Sequence, residues 1–208
     1  MGLALQKQET VGFDRDSYLA WEAEQDAKHE YQRGEIVAMG GARQSHVLVS
    51  LRLASLFLRP LDGSPCRTYM SDMKLLIEAA DAYFYPDVMV SCSAADRQAE
   101  LALTAPCLIA EVLSASTAGR DRGAKFVAYR LIPSLRDYLV IDPERRRIEL
   151  YSRANEGWLL RETGPGEPGL PLDSIGLTLA AEEVFADLPA LSAPPGIESD
   201  PPHGDDAR

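Results

Sequence analysis

Apolar and polar positions along this 208-residue chain fall into two rhythms, period two in short runs and a three-to-four spacing in two longer ones. Period two is the mark of a strand with one buried face, and the longer spacing that of an amphipathic helix. In residues 45–58, Val47, Leu48, Leu51, Ala54, Leu56 and Phe57 recur at helical spacing until Pro60 stops the helix. An earlier helix starts under Asp14 or Asp16 as cap and runs to about residue 25, with Tyr18, Leu19 and Trp21 on its apolar side. Residues 29–32 and 35–39 flank Arg33-Gly34 and predict a hairpin that ends in Gly40-Gly41. Residues 67–70, 73–78 and 83–92 predict a meander, and the continuous apolar run 107–113 predicts a strand covered on both faces. A small-residue loop then leads into a helix at 120–131, ended by Pro133. A hairpin of 137–141 with 147–152 follows, and 158–162 is a further strand.

Two of these strands hold one carboxylate each. Asp87 lies in Tyr85-Pro86-Asp87-Val88-Met89-Val90, and Glu111 in Leu108-Ile109-Ala110-Glu111-Val112-Leu113. An unpartnered carboxylate inside an apolar strand costs several kcal/mol at least to desolvate. A hard divalent cation shared by both is the economical reason, because magnesium takes one or two carboxylates plus water and phosphate. Two such carboxylates also repel, so removing one is expected to raise stability when no metal is present.

Composition narrows the alternatives. With 46% hydrophobic and 25% charged residues, the chain has the make-up of one ordinary globular domain. No apolar run approaches the ~20 residues needed to span a bilayer, so a cytoplasmic location without membrane contact is expected. Cys66, Cys92 and Cys107 are widely spaced and odd in number, which predicts reduced core thiols. With only His29, His46 and His203 besides, any metal falls to carboxylates. The net charge of −11 argues against gripping nucleic acid by bulk electrostatics, although residues 120–153 carry nine basic against five acidic side chains. Residues 189–208, with five prolines and four acids, are expected to be disordered. With residues 1–12 a flexible N-terminus, one domain remains at 13–188.

The series Glu30-Tyr31-Gln32-Arg33-Gly34-Glu35, His46, Pro86-Asp87-Val88, Glu111-Val112-Leu113-Ser114, Asp121-x-x-x-Lys125-x-x-x-Tyr129 and Asp137 to Asp142 resembles the restriction endonuclease family called the Uma-two family, within the PD-(D/E)XK nuclease superfamily. The order and spacing carry the resemblance across roughly residues 18–188. It implies an α/β (α+β), restriction-endonuclease-like fold, in which helices flank a mixed central sheet with an N-terminal and a C-terminal hairpin added. It also implies an Mg²⁺-dependent endonuclease site, where Mn²⁺ substitutes for Mg²⁺. Asp87 matches the first acid and Glu111 the second, and the backbone carbonyl of Val112 is a further metal ligand. The superfamily's simplest pattern has lysine two positions after the second acid, where this chain has Leu113, and Lys125 on the next helix is the matching residue. Asp121, Lys125 and Tyr129 are four apart and share one helix face, Tyr129 reading as a packing residue.

Glu30 and Glu35 are candidates for an additional acid, and the hairpin between them leaves open which one points inward. His46, Arg120 and Arg122 are candidate substrate contacts. The expected partner is nucleic acid, DNA in particular, cut by a homodimer. Two other readings remain at this point: a catalytically silent interaction module on the nuclease fold, and another Mg²⁺-dependent phosphodiesterase. No G-x-x-x-x-G-K-[ST] loop is present, which excludes a phosphate-loop NTPase.

Overall fold

The computed structural model describes residues 7–9, 13–114, 119 and 121–189, and among these not the side chains of 7–9, 121 and 122. Of the segment 189–208, expected to be disordered, 190–208 lies outside the described residues. Within the N-terminal stretch expected to be flexible, Lys7–Glu9 forms strand β1.

Asp14 caps α1 (Arg15–Glu22) by accepting the Ser17 amide at 2.8 Å. Strands β2 (His29–Gln32) and β3 (Glu35–Ala38) meet at Arg33-Gly34, where both residues take positive φ, 50° and 83°. That is the backbone of the two-residue hairpin turn whose twist matches the strands beside it. Helix α2 (Gln44–Leu61) follows, with Pro60 inside its last turn.

The mixed α/β class is as expected, and its strands are shared between two six-stranded sheets. The first has the order β1-β3-β2, then β6 (Ala82–Phe84), β5 (Lys74–Ile77) and β8 (Ala102–Leu103). The second runs from β12 (Gly157–Thr163) through β11 (Arg147–Ala154), β10 (Asp137–Asp142), β9 (Leu108–Val112) and β7 (Val88–Ser91) to β4 (Arg67–Met70). The run 83–92, expected as one strand, is therefore two strands in different sheets. Pro86 has no amide hydrogen with which to continue a ladder, and the chain changes sheets there. Asp87 is the first residue after the change.

Strands β7, β9 and the first five positions of β10 are buried throughout, because both faces of the second sheet are covered. On one face α2 packs Val49, Leu53, Ala54 and Phe57 against Val88, Val90, Leu108 and Ala110. The sequence pattern had suggested a stripe through Val47 and Leu51, but these are about half exposed, at 52% and 57%. The helix is apolar on two sides, and only the side spaced 49-53-57 meets the sheet. On the opposite face, Met89, Ile109 and Val140 cluster with Leu75, Ala82 and Phe84 of the first sheet.

The helix expected over 120–131 is shorter and irregular. A π-helical turn, Asp121–Lys125, leads into α3 (Phe126–Tyr129). A small hairpin, β13 (Leu170–Leu172) with β14 (Leu177–Leu179), and a last turn of helix, α4 (Ala181–Val184), close the α2 side of the core.

The thiol expectation requires correction. Cys66 and Cys92 are joined by a disulfide, and only Cys107 is a free thiol. Spacing in sequence hides this because the pairing comes from sheet register. Arg67 pairs with Ser91, so Cys66 falls opposite Cys92 one step further along the ladder.

Candidate active site

Register alone brings the two strand carboxylates together. Val88 pairs with Ala110 in the antiparallel β7–β9 ladder, and one more step sets Asp87 across from Glu111. Alternation along β9 puts Glu111 on the side of Ile109, between the second sheet and α3, while Asp87 sits just before β7, where α2 also reaches it. Asp87 Oδ2 accepts the Val112 amide at 2.7 Å, which ties it to the backbone immediately after Glu111. His46, in the first turn of α2, brings Nε2 to 3.2 Å from the same oxygen.

Glu111 is 3% exposed and Lys125 6%. The Lys125 ammonium lies 2.9 Å from Glu111 Oε1 and 2.9 Å from Glu30 Oε1, so one buried cation bridges two buried carboxylates. A buried charge persists only when paired, and Lys125 is the counter-charge to both carboxylates. Tyr129, one helical turn beyond Lys125, donates its hydroxyl to the same Glu111 oxygen at 2.5 Å. Burial, reinforced by the Glu111 charge, pushes the Tyr129 phenol well above its usual range, so it remains a donor. The Phe84 ring lies 5.8 Å below the Lys125 ammonium and closes the apolar floor. The net repulsion expected between Asp87 and Glu111 is thus reduced by a cation already seated beside Glu111.

Of Glu30 and Glu35, the hairpin turns Glu30 inward. Glu30 is 3% exposed, accepts the Tyr85 amide at 3.3 Å and meets Lys125, whereas Glu35 lies exposed at the turn end of β3. Arg120 and the side chain of Arg122 lie outside the described residues. Several of the basic residues in 120–153 are engaged within the fold. Arg147 pairs with Glu167 at 2.7 Å, and Arg153 donates to the carbonyls of Leu135 and Ile132 at 2.7 and 2.8 Å.

Two residues at the site go beyond the sequence reading. Tyr129 was read as packing, and its ring does pack against Phe84 and Tyr138, but its hydroxyl reaches the acid. Its four-residue spacing from Lys125 was the available signal. Glu22, on α1, had none. It accepts the His29 amide and the Tyr85 hydroxyl, both at 2.9 Å, and so braces the residue before Pro86-Asp87 from behind. Two other buried acids differ in kind from the cluster. Asp96 is satisfied by Ser91, Thr104 and Ala105, and Asp137 by Ser152 and Ser174, hydroxyls and amides without a cation.

Residues 15–182 match the model of the Uma2 family, described as "Putative restriction endonuclease". Two uncharacterized proteins of Synechocystis resemble the chain over most of their length. One is 41% identical over 174 residues, 83% of this chain and 91% of the relative, and the other 39% over 148 residues, 70% and 84%. Among solved structures, a nuclease of the DUF820 group from Anabaena variabilis, titled putative, superposes with a TM-score of 0.70 over 84% of this chain and 98% of that one. At 17% identity, that likeness speaks for the fold.

Proposed function

The chain belongs to the family described as putative restriction endonucleases, and from that premise we propose that it is a metal-dependent endonuclease hydrolysing phosphodiester bonds in DNA at Asp87, Glu111 and Lys125. The observation that carries this reading is the convergence of Glu111, Glu30 and Lys125 beside an Asp87 fixed by the Val112 amide. A purely structural acid, such as Asp96, needs only neutral donors.

The donors available from Asp87, Glu111 and the Val112 carbonyl are oxygen throughout, which fits a hard cation such as Mg²⁺, or Mn²⁺ in its place. Among the described residues no group of three or more His, Cys, Asp or Glu side chains is close enough to hold a metal. Two carboxylates are an ordinary protein share for Mg²⁺, with water and the substrate phosphate completing the shell. Bound there, the cation would lower the pKa of a coordinated water and polarise the phosphate.

The protein's own part is placement and charge. Val112 and His46 hold the Asp87 carboxylate in one orientation, and Tyr129 holds that of Glu111. The Lys125 ammonium, kept at the end of β9 by two carboxylates, stabilises the negative charge that develops on the phosphate. With one site per chain, cutting both strands of a duplex calls for a two-fold dimer.

Purified protein incubated with supercoiled plasmid and with single-stranded DNA, in Mg²⁺, Mn²⁺ or EDTA, tests the reading. Cleavage that EDTA stops and that Asp87→Asn and Lys125→Ala both lose supports it. Intact substrates under every metal condition, or cleavage unchanged in both variants, would sink it.

A further inference from the structure

The strands that carry the acids carry sulfur at their other ends. Asp87 precedes β7 and Cys92 follows it, while Cys107 precedes β9 and Glu111 lies near its end. At about 3.3 Å per residue, five residues set Cys92 roughly 16 Å from Asp87. The sulfurs form a cluster of their own. Cys66 and Cys92 are bonded, and the Cys107 thiol lies 3.7 Å from the Cys92 sulfur. All three residues are half-buried. Cys66 also lines an open groove of about 440 Å³ at the C-terminal end of α2, together with Leu58, Leu61, Asp62, Ser64 and Arg67.

We propose that Cys66, Cys92 and Cys107 form a thiol-exchange site, in which Cys107 attacks Cys92 and frees Cys66, a residue of the adjoining groove, as a thiol that takes up a low-molecular-weight disulfide. The first step is internal and balanced. The Cys107–Cys92 bond forms as the Cys92–Cys66 bond breaks, and the proton leaving Cys107 ends on Cys66. In the second step the Cys66 sulfur attacks a small disulfide R–S–S–R; one R–S group joins Cys66 and the other departs as R–SH with the Cys66 proton.

Two features support the direction. Contact between Cys107 and Cys92, 3.7 Å between sulfurs, puts nucleophile and target side by side. Cys66, the residue whose sulfur departs, is one of those lining the groove. Burial raises the Cys107 thiol to about 11, so the attack is slow and the exchange is a conditioned event.

The test is differential alkylation of the full chain. Native protein is incubated with iodoacetamide, denatured, treated with an isotopically heavy alkylating agent and digested without reduction; Arg67, Lys74 and Arg97 place the three cysteines on separate tryptic peptides. The expected result is native-stage label on Cys66 together with a Cys92–Cys107 linked peptide, both lost in Cys107→Ser. Oxidised glutathione in place of iodoacetamide should add one glutathionyl group at Cys66 by the same dependence. Label on Cys107 alone with Cys66–Cys92 intact overturns the proposal, as does three-fold labelling with no linked peptide, or Cys66 labelling undiminished in Cys107→Ser. Cys107→Ala, with its melting temperature compared with wild type, guards against misfolding of the serine variant.

Discussion

Lys125 is the residue on which the site's internal charge balance turns. Its ammonium is the cation seen bridging Glu30 and Glu111, and both acids are almost wholly out of water. Lys125→Ala should therefore abolish cleavage and also destabilise the fold by about 3–5 kcal/mol, the usual cost of leaving a buried charge without its partner. Urea unfolding at neutral pH measures it, and a loss near zero would mean the pair contributes nothing net. The structure also reverses one expectation for Glu111. Mutual repulsion with Asp87 suggested that removing either acid would help in the absence of metal. Glu111→Ala instead takes this acceptor from Lys125 and from the buried Tyr129 hydroxyl, at a cost of about 1–3 kcal/mol per unsatisfied group. Asp87, Glu111 and Lys125 were legible because carboxylates in apolar strands and an i, i+4 series are visible in one dimension. Glu22 was not, since it sits on a short amphipathic helix and its partners come from residues 29 and 85.

At the scale of elements, the turn after the short α3 depends on a residue two strands away. The carbonyls of Phe126, Ala128 and Tyr129 accept the amides of Arg130, Leu131 and Ile132, whereas the carbonyls of Arg130, Ile132 and Leu135 lie beyond the helix end. Arg153 on β11 supplies donors to the carbonyls of Arg130, Ile132 and Leu135, while its guanidinium stacks 4.6 Å from the Trp158 ring centre. Arg153→Ala is expected to cost about 1–3 kcal/mol through those carbonyls. Arg153→Lys should recover only part, because an ammonium cannot reproduce the planar fork. Amide exchange in residues 130–136 that stays as slow as wild type would show that the turn after α3 stands without Arg153. Elements with a long, clean period were legible: the 29–38 hairpin, α2, β9 and the β10–β11 pair. The strand 83–92 was misjudged as one because apolarity continues across Pro86, whereas the ladder cannot. The hairpin of β13 and β14 was missed because three-residue strands, one containing Pro171, are too short to establish a period. The Cys66–Cys92 bond depends on register, which no cysteine spacing reveals.

For the whole molecule, two electrostatic consequences follow from how much charge and phenol the fold conceals. Tyr18, Tyr31, Tyr83, Tyr85 and Tyr129 are all pushed above their ordinary value, burial being the leading cause in each. In the unfolded chain these phenols ionise near pH 10, while the folded protein keeps their protons. A raised folded pKa means the stability is fully present below about pH 10 and is lost as pH climbs beyond it. Alkaline unfolding should thus be cooperative, with phenolate absorbance and far-ultraviolet dichroism changing together; phenolate appearing before any loss of secondary structure would contradict it. The second consequence concerns metal. Among the described residues no helix is long and apolar enough to cross a membrane, and the chain carries −11 overall, so any added salt relieves some self-repulsion. The informative comparison is Mg²⁺ against NaCl at matched ionic strength. Among the described residues of the candidate site, the carboxylates of Glu30, Asp87 and Glu111 meet Lys125 and His46, and Asp87 and Glu111 are opposite each other across β7 and β9. A cation that binds only the folded arrangement stabilises it by mass action, about 2.7 kcal/mol at a hundredfold excess over its dissociation constant. Mg²⁺ should therefore raise the melting temperature of wild type beyond the NaCl control, and do so no longer in Asp87→Ala. An equal shift in both proteins would assign the effect to screening of the acidic surface and remove the metal from the site.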